Sequence, residues 1–103
     1  MNSETSRMNP TITQAIHDKK VLELRYHGYF RIVEPHAYGR DKDDDEILRC
    51  YQASGGSESG ERAGWKILKV REIFSLHLTP ASFSTRSGYK RSDKAMVRIY
   101  AQV

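Results

Sequence analysis

A chain of 103 residues with a formal net charge of +4 is long enough for one domain with a single hydrophobic core, which needs neither disulfides nor a structural metal. Its one cysteine, Cys50, excludes an internal disulfide and favours the reduced environment of the cytoplasm, and its four scattered histidines lack zinc-finger spacing. No segment approaches the ~18 apolar residues of a membrane span, and no apolar run resembles a signal peptide. We therefore expect a soluble, cytoplasmic protein that does not engage a membrane.

The start of the chain predicts a leader followed by one helix. Residues 1–8 are polar, and we expect them to be disordered. Asn9 is a suitable helix cap, and Pro10 suits the first helical position because its missing amide proton is not needed there. The apolar positions that follow have helical spacing: Ile12, Ala15 and Ile16. A helix ending near residues 19–20 has only about two and a half turns, so it should need to pack on a sheet.

Residues 22–36 alternate like a β-hairpin and carry arginine and aromatic side chains together. One face of the first strand is apolar: Leu22, Leu24 and Tyr26. Gly28 supplies the glycine that a tight turn needs. Pro35 lacks the amide proton that a central ladder requires, and we expect the return strand to end there.

Further strands are predicted downstream of the hairpin. Residues 47–53 are rich in apolar and aromatic side chains, and the glycine- and serine-rich residues 54–64 are typical of a mobile connector. The run 65–78 changes its apolar face near Arg71, which predicts a bulge or a division into two strands. Residues 96–100 offer a final strand. Five or six short strands after one helix predict a mainly β fold, built as a strongly bent antiparallel sheet or barrel.

Charge is distributed unevenly along the chain. Residues 41–46 hold five acidic residues and one lysine, a local charge of −4, so the remainder carries +8. Arginine outnumbers lysine by 10 to 7, and arginine is preferred where a planar cation meets phosphate or stacks on a base. The bias favours an anionic partner, although scattered bases also simply keep small domains soluble.

Patterns for metal and catalytic chemistry are incomplete. Asp41, Asp43 and Asp45 are spaced like the opening of a calcium loop, but Glu46 stands where that loop needs glycine and Gln52 where it needs glutamate. We interpret this segment as a solvated acidic turn.

No phosphate-binding glycine loop or nucleophile elbow is present, and Cys50 suits a half-buried strand. We predict no catalytic residue, metal or cofactor. A small nuclease built from His, Lys and Arg has little signature and is kept as a third hypothesis.

Basic and aromatic residues recur on successive predicted strands, an arrangement that clamps phosphates and stacks bases of single strands. In the alternative interpretation, the tyrosines belong to the core and each arginine lies on a solvated face. That alternative is favoured for any one residue, whereas for the group both interpretations stay open. The set comprises Arg25, Tyr26, Arg31, His36, Arg40, Arg49, Tyr51, Arg62, Lys66, Lys69 and Arg71.

Three elements follow one another at the start of the chain: a helix of the pattern Ile-x-x-Ala-Ile-x-x-Lys-Lys, then Leu24-Arg25-Tyr26-x-Gly28, then Arg31-Ile32-Val33-Glu34-Pro35. In this order they resemble the opening of a WYL domain, a bacterial module. Residues 48–51 and 65–70 fall where that family has its later strands, so the resemblance covers roughly residues 11–80. Arg49-Cys50-Tyr51 replaces the Trp-Tyr-Leu triplet and Lys69 replaces an arginine, which indicates a divergent branch.

The resemblance implies a small SH3-like or Sm-like antiparallel β-barrel that senses a nucleotide-type or single-stranded nucleic acid ligand and signals to an effector, often in transcription regulation. The matching ligand-binding positions are Arg25, Tyr26, Arg31, His36, Arg49 and Lys69, to which the basic and aromatic pattern adds Tyr51. No helix-turn-helix precedes the barrel, so signalling would pass to an effector protein or use self-association.

The sequence thus predicts a leader at 1–8, a WYL-like barrel domain with its helix at 9–80, and a basic extension at 81–103 that packs on or extends the barrel. The predicted function is a non-enzymatic, ligand-sensing regulatory module. The alternative is a protein-interaction or oligomerisation module, including a homo-oligomer, whose exposed strand edge and residues 96–103 pair with another chain.

Overall fold

A computed structural model describes residues 8–103, so the leader predicted at 1–8 lies, apart from Met8, outside the described residues. The chain is mainly β, with one α-helix and an antiparallel sheet. Helix α1 comprises Pro10–Asp18, and strands β1 to β6 comprise Lys20–Tyr26, Tyr29–Arg40, Glu46–Gly55, Gly64–Lys69, Ile73–Ser82 and Arg98–Gln102. A single 3-10 turn, Val70–Glu72, joins β4 to β5.

The predicted helix is confirmed, and its ends are set by local chemistry. The Asn9 side-chain oxygen accepts hydrogen bonds from the amides of Thr11 and Ile12, at 3.0 and 3.1 Å. Lys19 ends the helix in the left-handed conformation, with φ of 52°. The apolar face of the helix is buried on the sheet, which stabilises a helix too short to persist alone.

The strands follow the order β4-β3-β2-β1-β5, and β6 pairs with β2. The first part of β2, residues 29–33, pairs with β1, and residues 37–40 pair with β6, while β3 follows the other edge of β2. Gly39 allows β6 to approach, because a Cβ there would collide with the carbonyl oxygen of Arg98. Strands β4 and β5 end the main strand order and do not pair with each other, so the sheet is not closed into a barrel.

The expected end of the second strand at Pro35 is wrong, because β2 continues to Arg40. Pro35 lies between the segment of β2 that pairs with β1 and the segment that pairs with β6. A register shift between Pro35 and Ala37 also interrupts the ladder with β3. Proline is tolerated at such interruptions because fewer ladder bonds need its amide.

Both faces of the sheet carry buried apolar clusters. Helix α1 and the inner side chains of the strands form the main core, which includes the fully buried Leu22, Leu48 and Cys50. A second, smaller cluster joins Ala37 and Ile47 to Met96 on the opposite face of β3. Residues 83–97, here called the strap, provide Met96 and run across this second face.

Candidate functional site

A groove of about 470 Å³ lies between the strap and the sheet. Strands β3 and β4 provide Arg49 and Trp65, and the strap provides residues 88–94. Its volume falls within the range of small-molecule sites, which is roughly 300–1,000 Å³.

His36 anchors the strap to β2. Its ring is fully buried, Nδ1 is 2.9 Å from the Glu34 carbonyl oxygen, and Nε2 is 3.1 Å from the Arg86 amide nitrogen. Nε2 can only accept from that amide, so Nδ1 carries the proton and the imidazole is neutral. Burial also lowers the pKa of His36. The Tyr89 hydroxyl donates to the His36 carbonyl oxygen at 3.2 Å, which adds a second anchor.

Two ion pairs reinforce this anchorage. Arg86 Nε and Nη2 donate to the carboxylate of Glu34 at 2.8 and 3.2 Å, and its guanidinium lies 4.0 Å from the ring centroid of Tyr51. Arg49 donates to both oxygens of Asp93 at 2.7 and 3.2 Å. The hydrogen bond from Arg49 lowers the pKa of Asp93, which keeps this pair ionised.

Aromatic rings line the inner wall of the groove. The rings of Trp65 and Tyr89 have centroids 6.1 Å apart and planes within 25° of each other. Tyr51 meets Trp65 edge to face at 5.5 Å, and His36 meets it at 4.9 Å. This packing holds the indole in place while leaving it partly exposed, as a stacking surface requires.

The outer wall of the groove has excess positive charge. Lys90 and Lys94 are exposed and form no ion pair within residues 8–103. Arg91 donates only to the backbone oxygen of Val103, at 3.2 Å, among the described residues. The carboxylate of Asp93 is already paired with Arg49. Lys90 and Lys94 therefore remain for an anion beside the rings.

The structure brings His36, Arg49 and Tyr51 together around this groove, although only Arg49 lines it. His36 and Tyr51 support it instead, through contacts with Trp65 and Arg86.

The other predicted site residues lie elsewhere. Arg25 is exposed on β1, between Phe30 and Ser75 of the neighbouring strands. Tyr26 is buried; its hydroxyl donates to Glu72 at 3.2 Å and accepts from the Lys69 amide at 3.0 Å. Burial raises the pKa of Tyr26, so the ring serves as a core residue with a satisfied hydroxyl.

Arg31 is a buried guanidinium, with only 3 % of its surface exposed. It donates to the Tyr26 carbonyl oxygen at 3.0 Å and to Gln52 at 3.4 Å, and its centre lies 5.1 Å from the Tyr26 ring centroid. No carboxylate within residues 8–103 pairs with it, and its Nε has no hydrogen-bond partner there. Arg31 thus lies inside the fold, away from the groove lining.

Lys69 belongs to the acidic segment rather than to the groove. Its ammonium lies 2.9 Å from Asp45, which also pairs with Arg71. The Lys69 hydrogen bond lowers the pKa of Asp45. Lys69 and Arg71, which belong to the basic pattern that the sequence analysis relates to an anionic ligand, are therefore paired with Asp45 of the acidic loop.

Sequence reasoning missed the strap residues. The sequence predicts only an irregular, basic segment at residues 81–93, and it places Trp65 in an apolar strand without a functional role. The available signal was Tyr89 followed by Lys90, Arg91 and Lys94, because an aromatic ring among cations is typical of surfaces that bind nucleic acid.

The part of the chain that the structure describes contains no group of three or more His, Cys, Asp or Glu side chains placed to hold a metal ion. In the acidic turn, an Asp41 carboxylate oxygen instead accepts from the amides of Asp43 and Asp45, at 2.9 and 3.0 Å. Among residues 8–103, no helix has the length and apolar character needed to cross a membrane.

Comparisons of the chain with protein-family models, with curated proteins and with solved structures find no significant match.

Proposed function

We propose that this chain is a non-enzymatic, ligand-sensing module that binds a nucleotide-type or single-stranded nucleic acid ligand in the groove under the strap. The observation that carries the proposal is the juxtaposition of the Trp65 and Tyr89 rings with Lys90 and Lys94, which have no carboxylate partner within residues 8–103. Rings stack on bases and cations bind phosphates, so the two halves of the groove suit the two halves of a nucleotide.

Charge and ring geometry favour single-stranded ligands over duplex DNA. Stacking needs an unpaired base with an accessible face, whereas a duplex presents its bases edge-on in a groove. Helix α1, the one α-helix among residues 8–103, does not line the groove and so supplies no recognition helix there. The ligand is therefore a nucleotide or a short single strand.

We propose that the fold is an open barrel of the SH3-like or Sm-like type, as the resemblance to WYL domains implies. The order of the five main strands supports this, because edge strands β4 and β5 are joined by one tight turn. The Tyr26 hydroxyl bridges the gap by accepting from Lys69 and donating to Glu72. Bent strands and one-turn connections are typical of small barrels.

His36, beside the groove, and Cys50, in the main core, are unsuited to catalysis, which supports a binding role. Both ring nitrogens of His36 are engaged by the backbone. Cys50 is fully buried, and burial raises its pKa to about 12. We accordingly propose that the module signals to an effector protein in the cytoplasm rather than transforming its ligand.

The indole of Trp65 provides a direct assay, since it is the only tryptophan in the chain. Titration with a short single-stranded oligonucleotide or a mononucleotide should change its fluorescence, and affinity should fall as salt is raised. The double variant Lys90→Gln/Lys94→Gln should weaken oligonucleotide binding about tenfold or more. It should also reduce the slope of log affinity against log salt concentration by about one to two. The matched control, Arg25→Gln/Arg62→Gln, removes the same charge from residues that do not line the groove.

The Arg49–Asp93 pair sharpens the assignment. Arg49→Ala should weaken binding because it leaves the Asp93 carboxylate unpaired beside the phosphate. Arg49→Ala/Asp93→Ala should recover much of that loss.

The proposal is contradicted if the groove double variant and the control double variant weaken oligonucleotide binding equally. It is also contradicted if no nucleotide or oligonucleotide binds in a salt-sensitive way. Labelled RNA should stay intact in the same mixtures; cleavage that survives repurification would instead favour a nuclease.

A further inference from the structure

Strand β5 forms an unprotected edge of the sheet. It is the last strand in the order β4-β3-β2-β1-β5, and its ten residues contain no Lys, Arg, Asp or Glu. The opposite edge, β4, carries Lys66 and Lys69. Natural proteins commonly protect edge strands with charged side chains, because unpaired backbone groups otherwise pair with another chain. The β5 edge lacks that protection.

This edge also exposes large apolar side chains. Phe74 is 86 % exposed and lies where the register between β1 and β5 shifts, without a cross-strand partner on β1. Leu78 is 44 % exposed although its partner across the ladder, Leu22, is fully buried. Two exposed apolar residues four positions apart on one free edge indicate an interaction surface.

The uncharged β5 edge is self-complementary, and it therefore fits a second copy of the chain. In an antiparallel, two-fold pairing of β5 with itself, centred on Leu76, Phe74 of each copy lies opposite Leu78 of the other. Ser75 lies opposite His77, so no like charges face each other between the paired strands. Pro80 falls beyond the paired segment, where its missing amide is not required. One strand therefore supplies both halves of the apolar contact.

We propose that the chain forms a two-fold dimer through β5, joining the two sheets edge to edge. The net charge of +4 makes two copies of the chain repel each other. An uncharged edge such as β5 is therefore where association is opposed least. The dimer does not rest on the function proposed for the groove, since neither Phe74 nor Leu78 lines it.

Sedimentation equilibrium of the full chain over a range of concentrations tests the proposal. The wild type should show a concentration-dependent increase from one to two chains. Phe74→Lys should raise the dissociation constant about tenfold or more, because it places a charge against an apolar side chain. Val97→Lys is the matched control: Val97 is 71 % exposed and lies outside β5, so dimerisation should persist.

Mixing two variants tests the register. Phe74→Lys and Leu78→Glu should each be largely monomeric. An equimolar mixture should recover dimers, because the introduced lysine then faces the introduced glutamate in one row while the native phenylalanine–leucine pair fills the other. Circular dichroism should show that both variants keep the native fold.

A wild type that is monomeric at every concentration overturns the proposal, as does equal weakening by Phe74→Lys and Val97→Lys. Folded variants that fail to recover dimers on mixing overturn the two-fold register.

Discussion

Two irregular segments connect strands of the sheet, and they are held in contrasting ways. The strap, residues 83–97, inserts Met96 into an apolar cluster and is fixed by the fully buried His36. The β3–β4 loop, residues 56–63, has no buried residue. Hydrogen bonds hold it, including those from Gln52 to the backbone oxygens of Gly56 and Arg62 at 3.1 and 2.9 Å. The strap should therefore unfold with the domain, whereas the loop should open locally at low free-energy cost.

The histidines that hold these segments differ in the same way. His36 acts as a neutral ring that accepts one backbone hydrogen bond and donates another. His27, at the hairpin turn, lies 2.5 Å from Glu58 in the loop and 2.6 Å from Glu72. An imidazole donates to two carboxylates only when both nitrogens are protonated. One segment thus needs a neutral histidine, and the other needs a charged one.

The largest expected effect comes from His36→Ala. It removes both hydrogen bonds and leaves a cavity among Trp65, Phe83 and Tyr89. We expect about 3 kcal/mol of destabilisation in urea denaturation, with the fluorescence of Trp65 reporting loss of the groove. A loss below about 0.5 kcal/mol would show that the strap is not anchored there.

Met96→Ala should have the next largest effect. Met96 is 7 % exposed and contacts the second cluster, so truncation should cost about 2 kcal/mol of unfolding free energy. Val97→Ala, at the adjacent and exposed position, is the control and should change stability by less than about 0.5 kcal/mol. Similar losses of stability for both variants would contradict the prediction that burial of the Met96 side chain stabilises this part of the strap.

The ion pair between Glu34 and Arg86 should contribute less. Arg86 is 42 % exposed in its side chain, so solvent weakens the attraction and the coupling should be about 0.5–1 kcal/mol. A double-mutant cycle with Glu34→Gln and Arg86→Gln measures it by chemical denaturation. A coupling near zero at low salt would assign the anchorage of the strap to His36 and Met96 alone.

A change of pH should have the smallest effect on global stability, but it should affect the strap and the loop in opposite directions. The carboxylates of Glu58 and Glu72 raise the pKa of His27 above its ordinary value of 6.5, so the loop contacts are complete below 6.5 and are lost as pH rises through the raised pKa. Burial lowers the pKa of His36, so its contribution is complete above 6.5 and is lost as pH falls through the lowered pKa. Acid should loosen the strap, and alkali should loosen the loop.

Hydrogen exchange by mass spectrometry, corrected for the intrinsic effect of pH, measures both segments in one experiment. Glu58→Gln should remove the pH response of residues 56–63 while leaving that of the strap. The same pH response in the two segments would contradict the opposite roles of the two histidines.

Local signals in the sequence predicted the elements that local chemistry controls. The Asn9 cap, the apolar spacing of α1, the turn at Gly28 and the division of the 65–78 run are each encoded within a few residues. The effect of Pro35 was not predictable in this way, because it depends on which partners lie beside the strand. Those partners come from β1, β3 and β6, which are distant in the chain.

Charge was the least predictable property of the candidate site. Lys69 and Arg49 belong to the basic pattern, but their nearest carboxylates are Asp45 and Asp93, which lie 24 and 44 residues away in the chain. A basic residue can bind an outside anion only if folding leaves its charge unpaired, and sequence spacing does not report that pairing.

The sequence by itself determined that this is a small, mainly β chain with one capped helix and a basic composition outside an acidic turn, because propensity, periodicity and composition can be read from the chain without knowing its long-range contacts. Only the tertiary structure decided that the strap and Trp65 share a groove, that Arg31 is buried and that β5 is a free edge. These features depend on long-range pairing, which brings distant side chains together and determines which charges and strand edges remain available to a partner.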